Sequence, residues 1–309
     1  MDRLLAPGVL EGLAERARPW AKQGKTAAYI PALSGADPEV FSAALFTVDG
    51  LSRTAGDRPA AFTLQSVSKV FMLAYVLEQK GEERLFSKVG MEPTGEPFHS
   101  LENLQFDAYA MPPNPLVNAG ALAVTGLAEG KDLEEKWALF QAFVRRLAGK
   151  EIAFNREVAE SEYEHAFLNR SFCYFLKQHG IIEGDVEELI ALYSRQCALE
   201  MDCLLLARIG AVFAGGGRDP ETGKGLISEK TARICRALMA SCGMYNASGK
   251  FAVKAGVPAK SGVSGCIMAV IPGRLGIGVY SPGLDEKGNS LGGWKFLELL
   301  NQEYRIGIY

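Results

Sequence analysis

Hydrophobic positions recur with two different spacings along the chain. Residues 41–48 (Phe-Ser-Ala-Ala-Leu-Phe-Thr-Val) are rich in apolar and aromatic side chains and end at Asp49-Gly50, a hairpin turn signal. A second strand is expected near residues 60–64, running straight into a helix over 66–80. That helix carries Val70, Leu73, Ala74 and Leu77 as one stripe and meets Gly81, an expected C-terminal cap. Helical spacing then dominates. It predicts helices over 132–147 (Leu133, Trp137, Phe140 and Val144 on one face), 162–178, 186–194, 201–213 and 228–242. Between the first long helix and this block, residues 91–115 hold five prolines and should follow the surface or line a cleft. Strand spacing returns at 265–271 and 275–280, separated by Pro272-Gly273-Arg274. A closing helix is expected over 292–304, with Trp294, Leu297 and Leu300 on one side.

The order of strands, helices, strands and helix predicts an α+β fold: an antiparallel sheet flanked by helices, with an all-helical domain inserted. The boundaries that follow are a discontinuous sheet domain, 1–85 and 240–309, and a helical domain, 86–239, with a cleft between them. The N-terminal segment reads as an amphipathic helix broken by Pro7. It lacks the basic start, apolar run and cleavage site of a signal peptide. No stretch approaches the ~18 apolar residues of a membrane helix. A cytoplasmic location, with no membrane partner, is the expectation.

Charge narrows the partners. A formal net charge of -3 argues against nucleic acid, which favours a basic patch. The six cysteines form no C-x-x-C pair and sit in apolar patterns, as buried reduced thiols do. The three histidines belong to no metal-binding array, so neither a metal nor another cofactor is expected.

Candidate chemistry concentrates in three segments. The first is Gln65-Ser66-Val67-Ser68-Lys69, which holds the sole S-x-x-K of the chain. Positions i and i+3 share a helix face, so Ser66 and Lys69 should meet. The first turn of a helix presents unpaired N–H groups and a positive dipole end. These favour an oxyanion and disfavour an ammonium, so a partly desolvated Lys69 should lose its proton more easily and accept that of Ser66. Read alone, the same pattern also describes an ordinary capped helix. The second segment is Lys260-Ser261-Gly262-Val263, which leads into the strand at 265–271. A K-S/T-G triplet on an edge strand, paired with S-x-x-K, is the pattern of serine penicillin-recognising enzymes. An edge strand offers an unpaired N–H that can join that of the nucleophile in an oxyanion hole. Alone, the segment also reads as an exposed loop. The third is Tyr245, flanked by glycines after a helix; it is either a mobile proton carrier or an aromatic cap. Asn114 to Gly120 and Glu160 to Arg170 add amides and carboxylates, which otherwise read as caps and solvated faces.

Together with 24–33 (GKTAAYIPAL), the stretches 62–71, 114–122, 160–171, 242–252 and 256–273 resemble the bacterial glutaminases, in order and over nearly the whole chain. The resemblance implies the serine β-lactamase/transpeptidase-like fold and hydrolysis of L-glutamine to L-glutamate and ammonia. It implies Ser66 as nucleophile, Lys69 as its base and Tyr245 in proton transfer to the leaving ammonia. The N–H groups of Ser66 and Val263 would form the oxyanion hole. Tyr29, Asn118, Glu162, Asn169 and Tyr193 would hold the amino acid end of the substrate. It further implies a homodimer or homotetramer. This chain departs from the family at Ser264 and Cys266, usually glycines, and at Asn246, often aspartate. Two rival readings are a β-lactamase or peptidase on the same fold, and a non-catalytic amino acid sensor.

Overall fold

The structure is a computed structural model that describes residues 3–27, 30–57, 61–97, 99–100 and 111–309. In chain order its elements are α1 (Val9–Ala21), β1 (Ser42–Thr47), β2 (Ser52–Gly56), β3 (Phe62–Thr63), α2 (Ser68–Phe86), α3 (Asn118–Thr125) and α4 (Leu133–Ala148). There follow β4 (Ala153–Phe154), α5 (Arg156–Glu164), α6 (Phe167–Gln178), α7 (Val186–Cys197), β5 (Leu199–Met201), α8 (Cys203–Ala214) and α9 (Glu229–Cys242). The chain closes with α10 (Ser248–Lys254), β6 (Ala259–Ser261), β7 (Cys266–Ile271), β8 (Leu275–Tyr280) and α11 (Leu291–Tyr304). No helix among the described residues is long and apolar enough to cross a membrane.

Five strands form one antiparallel sheet in the order β2-β1-β8-β7-β6. β1, β7 and β8 are buried along their whole length because both faces are covered. Successive strand residues point to opposite faces, and the core divides accordingly. Leu45, Ile267, Ala269, Ile277 and Val279 pack with α1 and α11. Ala44, Phe46, Met268 and Val270 face α8 and α2 instead. At β8 the helix α8 comes unusually close. A Cβ added at Gly276 or Gly278 would stand 2.2 Å from the carbonyl oxygen of Ala207 or Cys203 respectively. Glycine is the one residue that permits this backbone contact.

The hairpin signal at Asp49-Gly50 is correct, but its second strand is β2 at Ser52–Gly56 rather than the segment near 60–64. That later segment contributes β3, which pairs with β5 in a separate three-stranded sheet, β3-β5-β4. The helix expected over 162–178 is two helices, α5 and α6, separated at His165 and Ala166. Gly81 interrupts α2 at φ 73°, ψ 169° without ending it, and a further helical turn runs to Phe86. The helix α3 was not anticipated by spacing, since it is apolar on every side and wholly interior from Ala119 to Thr125.

Candidate active site

Ser66 lies in a single 3-10 turn, Gln65–Val67, that joins β3 to α2. Gln65 has φ 47°, a left-handed conformation that is costly for a residue with a side chain. Among the described residues only Gln65, Tyr245 and Arg305 share this property without being glycine. Two of the three flank Ser66, as expected where backbone strain serves a site. Ser68 braces the turn, its Oγ donating to the Gln65 carbonyl at 2.7 Å.

Lys69 is 1% exposed, in the first turn of α2. Its Nζ donates to Asn118 Oδ1 at 2.7 Å and to the Leu116 carbonyl at 3.2 Å. Asn114 builds this receptor. Its Oδ1 accepts from the N–H groups of Leu116 and Val117, at 3.0 and 3.1 Å, and so turns the chain toward Lys69. A Cβ at Gly120 would stand 1.9 Å from the Asn114 carbonyl oxygen, which explains the glycine two residues after Asn118. Burial lowers the Lys69 ammonium to about 8, against the opposing pull of the Cys197 thiol and the Glu162 carboxylate.

Tyr245 follows α9 in a short 3-10 turn, Tyr245–Ala247, and is buried. Its hydroxyl donates to the Ser261 carbonyl at 3.0 Å and is also hydrogen-bonded with Ser66. Burial raises its pKa well above the ordinary phenol value, partly offset by the Ser66 contact. Beneath it, Lys260 is fully buried, with Nζ 4.4 Å from the centre of the Tyr245 ring. Burial, reinforced by Lys69, pushes the Lys260 ammonium far below its usual range.

Lys260 and Ser261 of the triplet do lie on an edge strand, and Gly262 follows it directly. β6 is the last strand of the main sheet, and β7 is its one neighbour there. Val263 sits in the turn that follows, which is closed by Gly262 N–H to the Cys266 carbonyl and Gly265 N–H to the Gly262 carbonyl, both 2.9 Å. Among the described residues the Val263 N–H makes no backbone hydrogen bond. Ser66, second in its 3-10 turn, has an N–H of the kind a helix start leaves unpaired.

Ser66, Asn118, Glu162, Asn169, Tyr193 and Val263 line one cavity of about 860 Å³. Their elements are independent: α3 for Asn118, α5 for Glu162, α6 for Asn169 and α7 for Tyr193. Asn118 Nδ2 donates to Asn169 Oδ1 at 3.1 Å, so the two amides form one surface. Glu162 Oε2 is buried without a partner among the described residues, while the Cys197 and Gln65 side chains rest against its carboxyl group. Burial raises this carboxyl to about 7, more than Cys197, Gln65 and Lys69 together pull it down. Arg170 does not enter the cavity. It clamps α6 to α7 through a bidentate pair with Glu187, to which Tyr163 also donates. Tyr29 lies outside the described residues.

The glutaminase family profile matches residues 24–309. The chain belongs to the glutaminase family. It is 56% identical over 296 residues to a glutaminase of Geobacillus thermodenitrificans, covering 96% of each chain. It is 50% identical over 301 residues to glutaminase 2 of Bacillus subtilis, covering 97% of each. Among solved structures it is similar to a Bacillus subtilis glutaminase in covalent complex with 5-oxo-L-norleucine, formed by reaction with 6-diazo-5-oxo-L-norleucine. That match has a TM-score of 0.89 at 37% identity, over 97% of this chain and 98% of the other. The glutaminase-family fold is thus the β-lactamase/transpeptidase-like one that the resemblance implied.

Two cavity residues of this glutaminase-family chain escaped the sequence reading. Gln65 was visible only as the neighbour of Ser66, and nothing in its identity signals a left-handed φ. Cys197 follows Tyr193 by four positions, which puts both on one face of α7. Its apolar context hid it among buried thiols. All six cysteines are indeed buried and unpaired.

Proposed function

We propose that this chain hydrolyses L-glutamine to L-glutamate and ammonia through a γ-glutamyl ester on Ser66. The observation that carries the reading is one cavity in which Ser66 and Val263 face an amino-acid-sized set of groups, Asn118, Glu162, Asn169 and Tyr193. The Glu162 carboxylate suits an α-ammonium, and the amides and phenols suit an α-carboxylate. Tyr29 joins them in this reading. A relative at 37% identity reacts covalently with 6-diazo-5-oxo-L-norleucine, an electrophile built on the glutamine carbon chain.

Neutral Lys69 takes the Ser66 proton as Oγ attacks the side-chain amide carbon. The N–H groups of Ser66 and Val263 hold the oxyanion, each worth about 10²–10³ in rate. The C–N bond then breaks with its electrons going to nitrogen, and Tyr245 supplies the proton that makes ammonia. In the second half water gives one proton to the Tyr245 phenolate and its hydroxyl to the acyl carbon. Ser66 leaves with the proton stored on Lys69. Every group is restored, and no metal or organic cofactor enters.

The division into a sheet domain (1–85 and 240–309) and a helical domain (86–239) belongs to the same proposal, with the cavity as their cleft. So does a cytoplasmic setting, which six reduced, buried thiols suit. A homodimer or homotetramer is also part of it. Phe167 and Tyr174, seven residues apart on α6, are 72% and 58% exposed and offer an apolar face to a second copy.

The deciding experiment is incubation with 6-diazo-5-oxo-L-norleucine followed by peptide mass spectrometry, beside an ammonia-release assay on glutamine. Adduct on the Ser66 peptide and loss of ammonia release are expected. Unmodified Ser66 in an inactivated enzyme would overturn the mechanism. Glutamine binding without ammonia release would favour a sensor, and cleavage of a chromogenic β-lactam a penicillin-recognising enzyme.

A further inference from the structure

Tyr245 has to be held in a conformation that its chemistry does not favour. Its φ is 54°, and it is neither glycine nor one of the short polar residues that tolerate that region. The restraint comes from Ser248, three residues on. This serine is 7% exposed. Its Oγ donates to the Tyr245 carbonyl at 2.9 Å and accepts from the Met244 N–H at 3.0 Å. One hydroxyl therefore closes the backbone on both sides of the strained residue.

These bonds are not helix capping. Ser248 is the first residue of α10, and capping would direct its Oγ forward to N–H groups of that helix. It points backward instead. Its base is firm, since Phe251 of α10 packs edge-on against Trp294 of α11, ring centres 4.9 Å apart. Outside the corner, Lys287 Nζ donates to the Asn246 carbonyl at 3.1 Å.

We propose that Ser248 is a positioning residue for Tyr245. It holds the phenol within reach of Ser66 and the Ser261 carbonyl, and so sets how efficiently the leaving nitrogen is protonated. The inference rests on the reading above, in which Tyr245 is the proton donor. With Ser248→Ala the Met244 N–H loses its partner and the corner is free to relax toward ordinary φ.

The test compares two substrates in the full-length enzyme through kcat/KM, which reports the steps up to departure of the leaving group. L-Glutamine needs its leaving nitrogen protonated. The γ-p-nitrophenyl ester of L-glutamate does not, because p-nitrophenolate leaves unaided. Ser248→Ala should lose about ten-fold or more on glutamine, part of the roughly 10²–10⁴ of a positioned general acid. It should lose less than about two-fold on the ester. Tyr245→Phe should give the same selective pattern, and Ser248→Ala/Tyr245→Phe should be no worse than Tyr245→Phe on glutamine. Ser248→Thr, which keeps the hydroxyl, should restore activity. Ser248→Cys, a weaker donor, should fall between and stands in if the alanine variant does not fold. Equal losses on both substrates, or full glutamine turnover in Ser248→Ala and Ser248→Cys while Tyr245→Phe is impaired, would overturn the role of Ser248 alone. An unimpaired Tyr245→Phe would overturn the proton-donor reading beneath it, and the Ser248 inference with it.

Discussion

Lys260 and Tyr245 donate to the same acceptor: the Ser261 carbonyl lies 2.6 Å from Lys260 Nζ and 3.0 Å from the Tyr245 hydroxyl. The lysine is therefore tied to the phenol twice, through this shared oxygen and through the ring above it. Removing Lys260 should disturb Tyr245. Lys260→Ala is expected to lower kcat on glutamine by about 10²-fold, within the range of a lost general acid. The same substitution in a Tyr245→Phe background should cost much less. Steady-state kinetics on the four proteins of this cycle measure the coupling; additive losses would mean the two residues act apart.

The pH profile follows from two shifted groups. In the proposed mechanism Lys69 acts as a base only when neutral, and burial brings it to about 8, so activity should climb as pH rises through that value. In the same proposal Glu162 binds the substrate ammonium only when ionised, and burial raises it to about 7, so binding should weaken as pH falls through that value. Both limbs have the same sign. The expected kcat/KM profile on glutamine rises from pH 6 to about 9. Glu162→Gln should remove the lower limb along with most of the affinity and leave the Lys69 limb visible in kcat. A profile flat from pH 6 to 9 in the wild-type enzyme would contradict both assignments.

Gly262 opens the turn that carries Val263, a proposed oxyanion donor. A Cβ there would stand 2.6 Å from the Leu64 carbonyl oxygen and 2.9 Å from Cys266 Sγ, between the Ser66 and Val263 segments. Gly262→Ala must push them apart. A loss of about 10² in kcat is expected, the worth of one misplaced oxyanion donor. Circular dichroism and thermal melting should report a folded protein.

A stability effect separate from activity is expected at Arg208, on α8. Its guanidinium binds Asp219 at 2.7 Å, Glu221 at 2.9 Å and the Leu147 carbonyl at 2.8 Å, and Arg208 and Asp219 are both buried. Burial raises the Asp219 carboxyl, but hydrogen bonds from Arg208 and from the N–H groups of Glu221 and Thr222 outweigh it and hold the group below its usual value. Its stabilisation is therefore present above the unfolded carboxylate range and lost as pH falls below it. Arg208→Ala leaves a buried carboxylate unpaired and should cost about 3–5 kcal/mol in denaturant unfolding. The surviving folded fraction should keep its KM for glutamine.

Much of this was legible because burial imposes periods. The buried strands β1, β7 and β8 and the helices α4, α7 and α9 stand within a few residues of the expected positions. β2 was missed because an edge strand with one buried residue in five has no apolar period to read. The break at His165 and Ala166 was missed because neither residue is a helix breaker. The identities of Ser66, Lys69, Tyr245 and Val263 could be read from motifs. The left-handed turns at Gln65 and Tyr245 could not, because neither residue type signals a positive φ. The pairing of Lys69 with Asn118 was equally hidden, since it depends on the turn built by Asn114.

The pairing of β1 with β8 joins Ser42 to Tyr280 and Thr47 to Leu275, across most of the chain. During synthesis the hairpin of β1 and β2 must wait for its partner strand, on the order of ten to fifty seconds at ribosomal rates. β6, which carries Ser261, also emerges within that last stretch. A nascent chain therefore holds Ser66 long before the strand and turn that the proposed mechanism pairs with it. If the proposed mechanism holds, competence arrives only once residues 259–265 have emerged, and chains stalled before them would carry Ser66 without the proposed oxyanion hole.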